Sequence, residues 1–171
     1  MKKRLGITLI ELLLVLALLS LMMLLSGPGL SHLRNVLTHK ASANAVEHFL
    51  NQARTLSMSN GKPVTVVLEP QTWCLGATVD PSCSCLPPSD CLINNTPYVI
   101  NKKYDSAITM SSSTLIKGDR ILFDSPLGTA YGFNGSFLLT SPVATTRTVI
   151  SALGRTRTCL VNGNLSGFAQ C

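Results

Sequence analysis

The sharpest chemical signal in the 171-residue sequence is a pair of arginines one residue apart, Arg155 and Arg157, in the run Gly154-Arg155-Thr156-Arg157. On a β-strand, alternate residues share a face, which sets two such side chains about 6.6–7 Å apart. Each planar guanidinium can fork the oxygens of a phosphate. Arg147 lies upstream and joins them if its strand and theirs form a hairpin. The plainer alternative is a solvated strand edge on which basic residues discourage pairing with another chain. Lys102-Lys103-Tyr104 is a weaker candidate that couples charge to a ring able to stack on a base. The formal charge of +6 permits a polyanion partner without requiring one.

Catalysis has little to work with. No histidine follows His48, so no Ser-His or Cys-His nucleophile pair can be built in the later chain. There is no G-x-S-x-G, no H-E-x-x-H and no phosphate-binding glycine loop. The acids Glu69, Asp80, Asp90, Asp105, Asp119 and Asp124 are scattered. The expectation is a non-enzyme with no cofactor and no metal.

Six cysteines, Cys74, Cys83, Cys85, Cys91, Cys159 and Cys171, all lie well beyond the N-terminal apolar run. An even count in a small domain reads as disulfides in an oxidising compartment. Their spacing contains no C-x-x-C, which weakens the zinc alternative. Cys159 and Cys171 bracket a tail with little apolar content and are expected to pair. The other four then pair among themselves, and Cys83 with Cys85 is the most strained choice.

The third chemical signal is a carboxylate in an apolar run. Residues 7–25 are apolar except for Thr8, Glu11 and Ser20. As a helix they span roughly 28 Å, about the hydrocarbon thickness of a bilayer. Lys2, Lys3 and Arg4 precede the run and should stay in the cytoplasm. The run is too long for a secretory signal core, and no small-x-small cleavage site follows it. A simple anchor would leave Glu11 in the membrane at a cost of about 1–3 kcal/mol with nothing gained. A buried acid calls for a partner.

The segment Gly6-Ile7-Thr8-Leu9-Ile10-Glu11-Leu12-Leu13 resembles the prepilin signature of type IV pilins and type II secretion pseudopilins. The resemblance implies cleavage by prepilin peptidase between Gly6 and Ile7, followed by N-methylation of Ile7. It also gives Glu11 its partner, the new α-ammonium of a neighbouring subunit. That attraction offsets desolvation only when both charges pair in a low-dielectric filament core. Loss of Lys2, Lys3 and Arg4 would lower the net charge from +6 to +3. Most family members carry Phe where this chain has Ile7.

These signals need elements to position them. Gly27-Pro28-Gly29 should break or kink the first helix. Beyond it Leu30, Leu33, Leu37, Ala41, Ala45, Phe49, Ala53 and Leu56 recur at steps of three or four, one face of a second helical segment, with Val46 and Leu50 widening it. His32, His39 and His48 on this helix read as solvated or filament-contact residues. Asn60-Gly61 before Pro63 ends it. Short β-type runs follow at 64–68, 72–75, 97–100, 108–110, 120–123, 135–140, 145–151 and 155–161, separated by prolines and glycines. Residues 76–95 read as a long irregular loop, stapled rather than packed. Trp73 reads as core.

The later chain resembles the FimT/GspH group of minor pilins and pseudopilins. The residues that carry this are Asn51-Gln52-Ala53-Arg54 leading to Gly61-Lys62-Pro63-Val64-Thr65-Val66, then Ile121-Leu122-Phe123 and Gly132-Phe133-Asn134-Gly135. Val149-Ile150-Ser151 and Gly154-Arg155-Thr156-Arg157-Thr158-Cys159 complete the set. Some FimT-like pilins use a G-R-x-R element in DNA capture for natural transformation, which is what the resemblance implies for Arg155 and Arg157.

The expected fold is α+β and pilin-like: a long N-terminal helix, membrane-spanning and kinked near Pro28, packed on a C-terminal β-rich globular domain. The expected organisation is a leader at 1–6, a transmembrane and filament-core helix at 7–29, an amphipathic helix at 30–59 and a periplasmic β-rich domain at 60–171. The expected protein is a minor pilin or pseudopilin in the bacterial inner membrane, N-terminus cytoplasmic, later part of a pilus or pseudopilus. Its expected partners are other pilin or pseudopilin subunits, prepilin peptidase, the inner membrane and, as a further candidate, DNA. The rival expectation is a purely structural pseudopilin H-like subunit that binds no DNA.

Overall fold

The structure, a computed structural model, describes residues 8–86, 90–101, 107–112, 114 and 118–171, and only the backbone of 24–28 and 112. Thr8 opens the first element. Its carbonyl accepts the N–H of Glu11 at 3.1 Å and of Leu12 at 3.2 Å, and its Oγ1 lies 3.4 Å from the Glu11 nitrogen. Thr8-x-x-Glu11 has the order of a capping box, so the helix starts where side chain and backbone both favour it. Helix α1 runs from Leu9 to Asn60. Its bounds include Gly27-Pro28-Gly29, so the expected break does not occur. A proline forfeits one hydrogen bond, and the leucine-rich run before it has strong helix preference. Gly61, at φ 66°, takes the left-handed position that ends the helix.

The chain divides into two compact units, with the boundary between Arg34 and Asn35. In the first, every side chain described from Leu9 to Met23 is exposed, including ten leucines, isoleucines and valines. Among the described residues no helical segment is long and apolar enough to cross a membrane. The expected span at 7–25 begins at Ile7, outside the described residues, and ends among side chains that are not described. The stretch between is about 22 Å long at 1.5 Å per residue, short of a hydrocarbon core.

In the second unit ten strands follow α1 among the described residues: β1 (Val64–Glu69), β2 (Cys74–Thr78), β3 (Leu92–Ile93), β4 (Thr96–Pro97), β5 (Val99–Asn101), β6 (Thr109–Ser112), β7 (Arg120–Phe123), β8 (Gly135–Thr140), β9 (Ala144–Ile150) and β10 (Thr156–Gly163). They form two antiparallel four-stranded sheets, ordered β5-β2-β1-β7 and β10-β9-β8-β6, and the small pair β3-β4. One core joins them to the helix: Val46, Leu50 and Ala53 of α1 with Val66, Leu75, Ile121 and Phe123 of one sheet and Phe137, Leu139 and Ile150 of the other.

The helix docks through the second half of the expected face, where Val46, Phe49, Leu50 and Ala53 are buried, while Leu33, Leu37, Ala41 and Ala45 of the first half are exposed. Ala43, His39 and Ser57 are buried as well. The last two are polar, which hid them from a hydrophobic pattern. The sheet domain satisfies both. Ser57 Oγ donates to the Arg54 carbonyl at 2.7 Å and the Asp124 carbonyl at 3.4 Å. The His39 ring lies 2.8 Å from Ser141 Oγ and 3.0 Å from Thr146 Oγ1. His39 is therefore not solvated, and burial lowers its pKa from the ordinary 6.5.

Residues 76–95 are more than a stapled loop. Cys85, Cys91 and Ile93 are buried against β2, whose five residues are buried on both faces. A Cβ at Gly76 would collide with Cys91 Sγ, so the close approach of the loop needs glycine there. Asn94 and Asn95, at φ 52° and 61°, form the two-residue turn of the β3-β4 hairpin, a signal the sequence carries in Asn-Asn.

Candidate functional site

β9 and β10 form the hairpin that the arginine argument required. In register, Arg157 faces Val149 and Cys159 faces Arg147. Residues directly opposite share a face, and so do alternate residues on a strand, so Arg157 and Arg147 lie diagonally on one face of the sheet. The opposite face is the core: Thr146, Thr148, Ile150, Thr156 and Thr158 are buried while Arg155 and Arg157 are exposed. Arg155 sits just before β10, in a turn where the Ser151 N–H donates to its carbonyl at 3.0 Å and its own N–H donates to Ser151 Oγ at 3.1 Å. Arg147 is half-buried, and its Nε is buried without a hydrogen-bond partner among the described residues. The hairpin therefore sets Arg157 and Arg147 on one face and leaves Arg155 in the turn before it: Arg155 and Arg157 are open to solvent, and Arg147 has a guanidinium partly withdrawn.

Gly154, the first residue of the G-R-x-R run, has a structural task. It is buried at φ 76°, and a Cβ there would strike the carbonyl oxygen of Gly128. Arg54 of α1 ties the same two turns down. Its Nε–H donates to the Gly128 carbonyl at 3.0 Å and its Nη2 to the Leu153 carbonyl at 3.2 Å. The Ala130 N–H donates to the Ala152 carbonyl at 2.8 Å and joins the turns a third time. The sequence carried this as Arg54 and two glycines more than seventy residues away, with nothing local to connect them.

At the open edge of β10, Arg157 and Thr158 line a cleft of about 460 Å³ with Asn44, Glu47, His48 and Asn51 of α1 and with Gly167 and Phe168 of the tail. It is polar, and Glu47 places one acid near Arg157.

The cysteines are joined as Cys74–Cys85, Cys83–Cys91 and Cys159–Cys171. The last is the pair set apart in the sequence. Beside it the tail pairs with β10: the Leu160 N–H donates to the Ala169 carbonyl at 2.8 Å and the Cys171 N–H to the Leu160 carbonyl at 3.0 Å. Cys83, Cys91 and Asp90 are close enough to share an ion, but the two sulfurs are bonded to each other and offer no thiolate.

Glu11 lies in the exposed first turn of α1, where the helix dipole favours a negative charge. Gly6 and Ile7 lie outside the described residues, as do Lys102, Lys103 and Tyr104. Trp73 is core, 8% exposed, in a turn at φ 52°.

A sequence family described as the prokaryotic N-terminal methylation motif matches residues 1–27. No curated protein sequence matches the chain. Among solved structures the fold is similar to the minor pseudopilin EpsH from the type 2 secretion system of Vibrio cholerae. That match has a TM-score of 0.53 at 11% identity and covers 71% of this chain and 95% of EpsH. It is also similar to the type IV minor pilin FimU of Pseudomonas aeruginosa in two crystal forms. One has a TM-score of 0.53 at 14% identity over 72% of this chain and 87% of FimU. The other has a TM-score of 0.51 at 14% identity over 72% and 92%. The chain therefore carries an N-terminal methylation motif and a fold similar to that of a minor pseudopilin and a minor pilin.

Proposed function

We propose, from the union of a methylation motif with a minor-pilin fold, that this chain is a minor pilin or pseudopilin of a type IV pilus or type II secretion system. In this reading it is a structural subunit and not an enzyme. It is held in the inner membrane as a precursor, cut by prepilin peptidase between Gly6 and Ile7, and methylated on Ile7. It then joins other pilin or pseudopilin subunits near the start or tip of a filament. The observation that carries the reading is the helical stretch from Leu9 to Met23, whose apolar side chains are all exposed around one carboxylate, Glu11. Such a surface is stable only when lipid or other helices cover it. Mass spectrometry of the mature protein tests the processing: the expected terminus is a methylated Ile7. A terminus near Ser26, or an uncut chain in cells with active prepilin peptidase, refutes it.

The exposed pair Arg155 and Arg157 favours DNA as a further partner, with Arg147 in a lesser role. Binding through phosphates is sequence-independent and salt-sensitive. Two contacts give a log–log slope of about −1.8 on duplex and −1.4 on single strands. Arg155→Gln/Arg157→Gln should lower affinity at low salt and flatten that slope without changing the circular dichroism. If the double variant binds as well as the wild type, or neither binds at low salt, the chain is the purely structural subunit.

A further inference from the structure

We propose that Leu127, Tyr131 and Leu153 form the base-contacting half of the nucleic-acid site whose phosphate grips are Arg155 and Arg157, so that the site prefers single-stranded to duplex DNA. The inference rests on the DNA reading above and adds a ligand class to it.

These three side chains are 71%, 68% and 62% exposed, the most exposed large apolar residues among those described in the second unit. Turn tips are ordinarily polar, and three such residues on neighbouring turns are unusual. The turns are also held firmly. Arg54 reaches the carbonyls of both Gly128 and Leu153, the Ala130 N–H bonds the Ala152 carbonyl, and Gly154 packs against the Gly128 backbone. Tyr131 is the neighbour of Ala130, and Leu153 precedes Gly154 and Arg155. The ring, the two leucines and the first arginine therefore sit within one hydrogen bond of a common frame. That frame fixes the backbone and leaves the side chains in water, which lowers the ordering cost of binding.

Size favours a nucleic acid over a protein face. Even if each side chain offered what a buried aromatic offers, the three would present about 450–750 Å². A standard protein interface takes about 800 Å² from each partner. Single-stranded nucleic acids, by contrast, are held by a cationic track and a few side chains on which bases stack. Charge is complementary to a polyanion. The one acid of these turns, Asp124, accepts the Ser125 N–H at 2.8 Å, and exposed Arg155 follows Leu153 by two residues. In duplex DNA the bases are stacked and paired, so the apolar side chains gain contact only where the helix opens.

The test uses the full chain in an uncharged detergent and fluorescence anisotropy with labelled oligothymidylate and a duplex of equal length. The wild type should bind the single strand more tightly. Tyr131→Ser and Leu153→Ser should each weaken single-strand binding about five- to tenfold and bring the two affinities together. The salt slope, which counts phosphate contacts, should stay as in the wild type, and Tyr131→Phe should retain single-strand affinity. If the arginine double variant loses binding while the Tyr131 and Leu153 variants bind like wild type, this inference fails and the DNA reading stands. If the wild type binds neither probe, both fail. If the Tyr131 and Leu153 variants instead lose filament incorporation with oligothymidylate binding intact, the patch is a subunit contact and the inference is overturned.

Discussion

His39 shows how a single polar residue can fasten a helix to a sheet. Ser141 Oγ gives its proton to the Ala144 carbonyl at 3.2 Å, so it receives the proton of His39 Nδ1. Nε2 is then left to accept from Thr146. This arrangement suits the neutral ring, and burial holds its pKa below 6.5. Above about pH 6.5 the ring is neutral folded or unfolded, and stability does not depend on it. Below that value the unfolded chain takes up a proton that the folded chain refuses, so stability falls as pH drops toward the lowered folded pKa. Urea unfolding across this window should show a loss smaller than about 1.4 kcal/mol per pH unit, and His39→Gln should remove it. Gly154 carries a second residue-scale prediction. Gly154→Ala must place a Cβ at positive φ against a backbone oxygen, and it should lower stability by about 1–3 kcal/mol in thermal or urea unfolding. A loss of DNA binding in that variant would therefore say nothing of phosphate contacts, whereas Arg155→Gln changes charge alone. The arginines could be read from the sequence because charge and alternation are local properties. The clamp from Arg54 to Gly128 and Leu153 could not, because its parts meet only in the fold.

At the level of elements, the β-runs at 120–123 and 135–140 have the expected bounds, since alternating apolar residues between turn residues define them. The docking stripe of α1 was legible at Val46, Phe49, Leu50 and Ala53 but not at His39 and Ser57, which occupy core positions through hydrogen bonds that a hydrophobic count passes over. The C-terminal tail is the element most dependent on a covalent tie. Leu165 is buried, but the other residues from 164 to 171 are exposed or half-buried, so packing contributes little. Cys159→Ser/Cys171→Ser should destabilise the domain by about 3 kcal/mol in the chain-entropy account of a loop this long. Differential scanning calorimetry should place its melting temperature several degrees lower. Hydrogen exchange at the Leu160 and Cys171 amides should rise most.

For the whole molecule, the proposed function gives Glu11 a role outside its own chain. Its backbone N–H donates to the capping Thr8, and that contact survives any change of the Glu11 side chain. Glu11→Ala should therefore leave the helix, membrane insertion and cleavage intact while sharply reducing incorporation into filaments, measured by comparing membrane and sheared-filament fractions. Unchanged incorporation would mean that the carboxylate has no essential partner. The pinned tail has a further bearing on how such a subunit behaves in a crowded compartment. An open strand edge is a template on which a neighbour's strand can grow. Along β10 the tail already occupies the template at Leu160, and charged Arg155 and Arg157 flank what remains. A second copy meeting this edge would find too short a length to pair with and too much like charge to approach, so the domain resists runaway aggregation along β10.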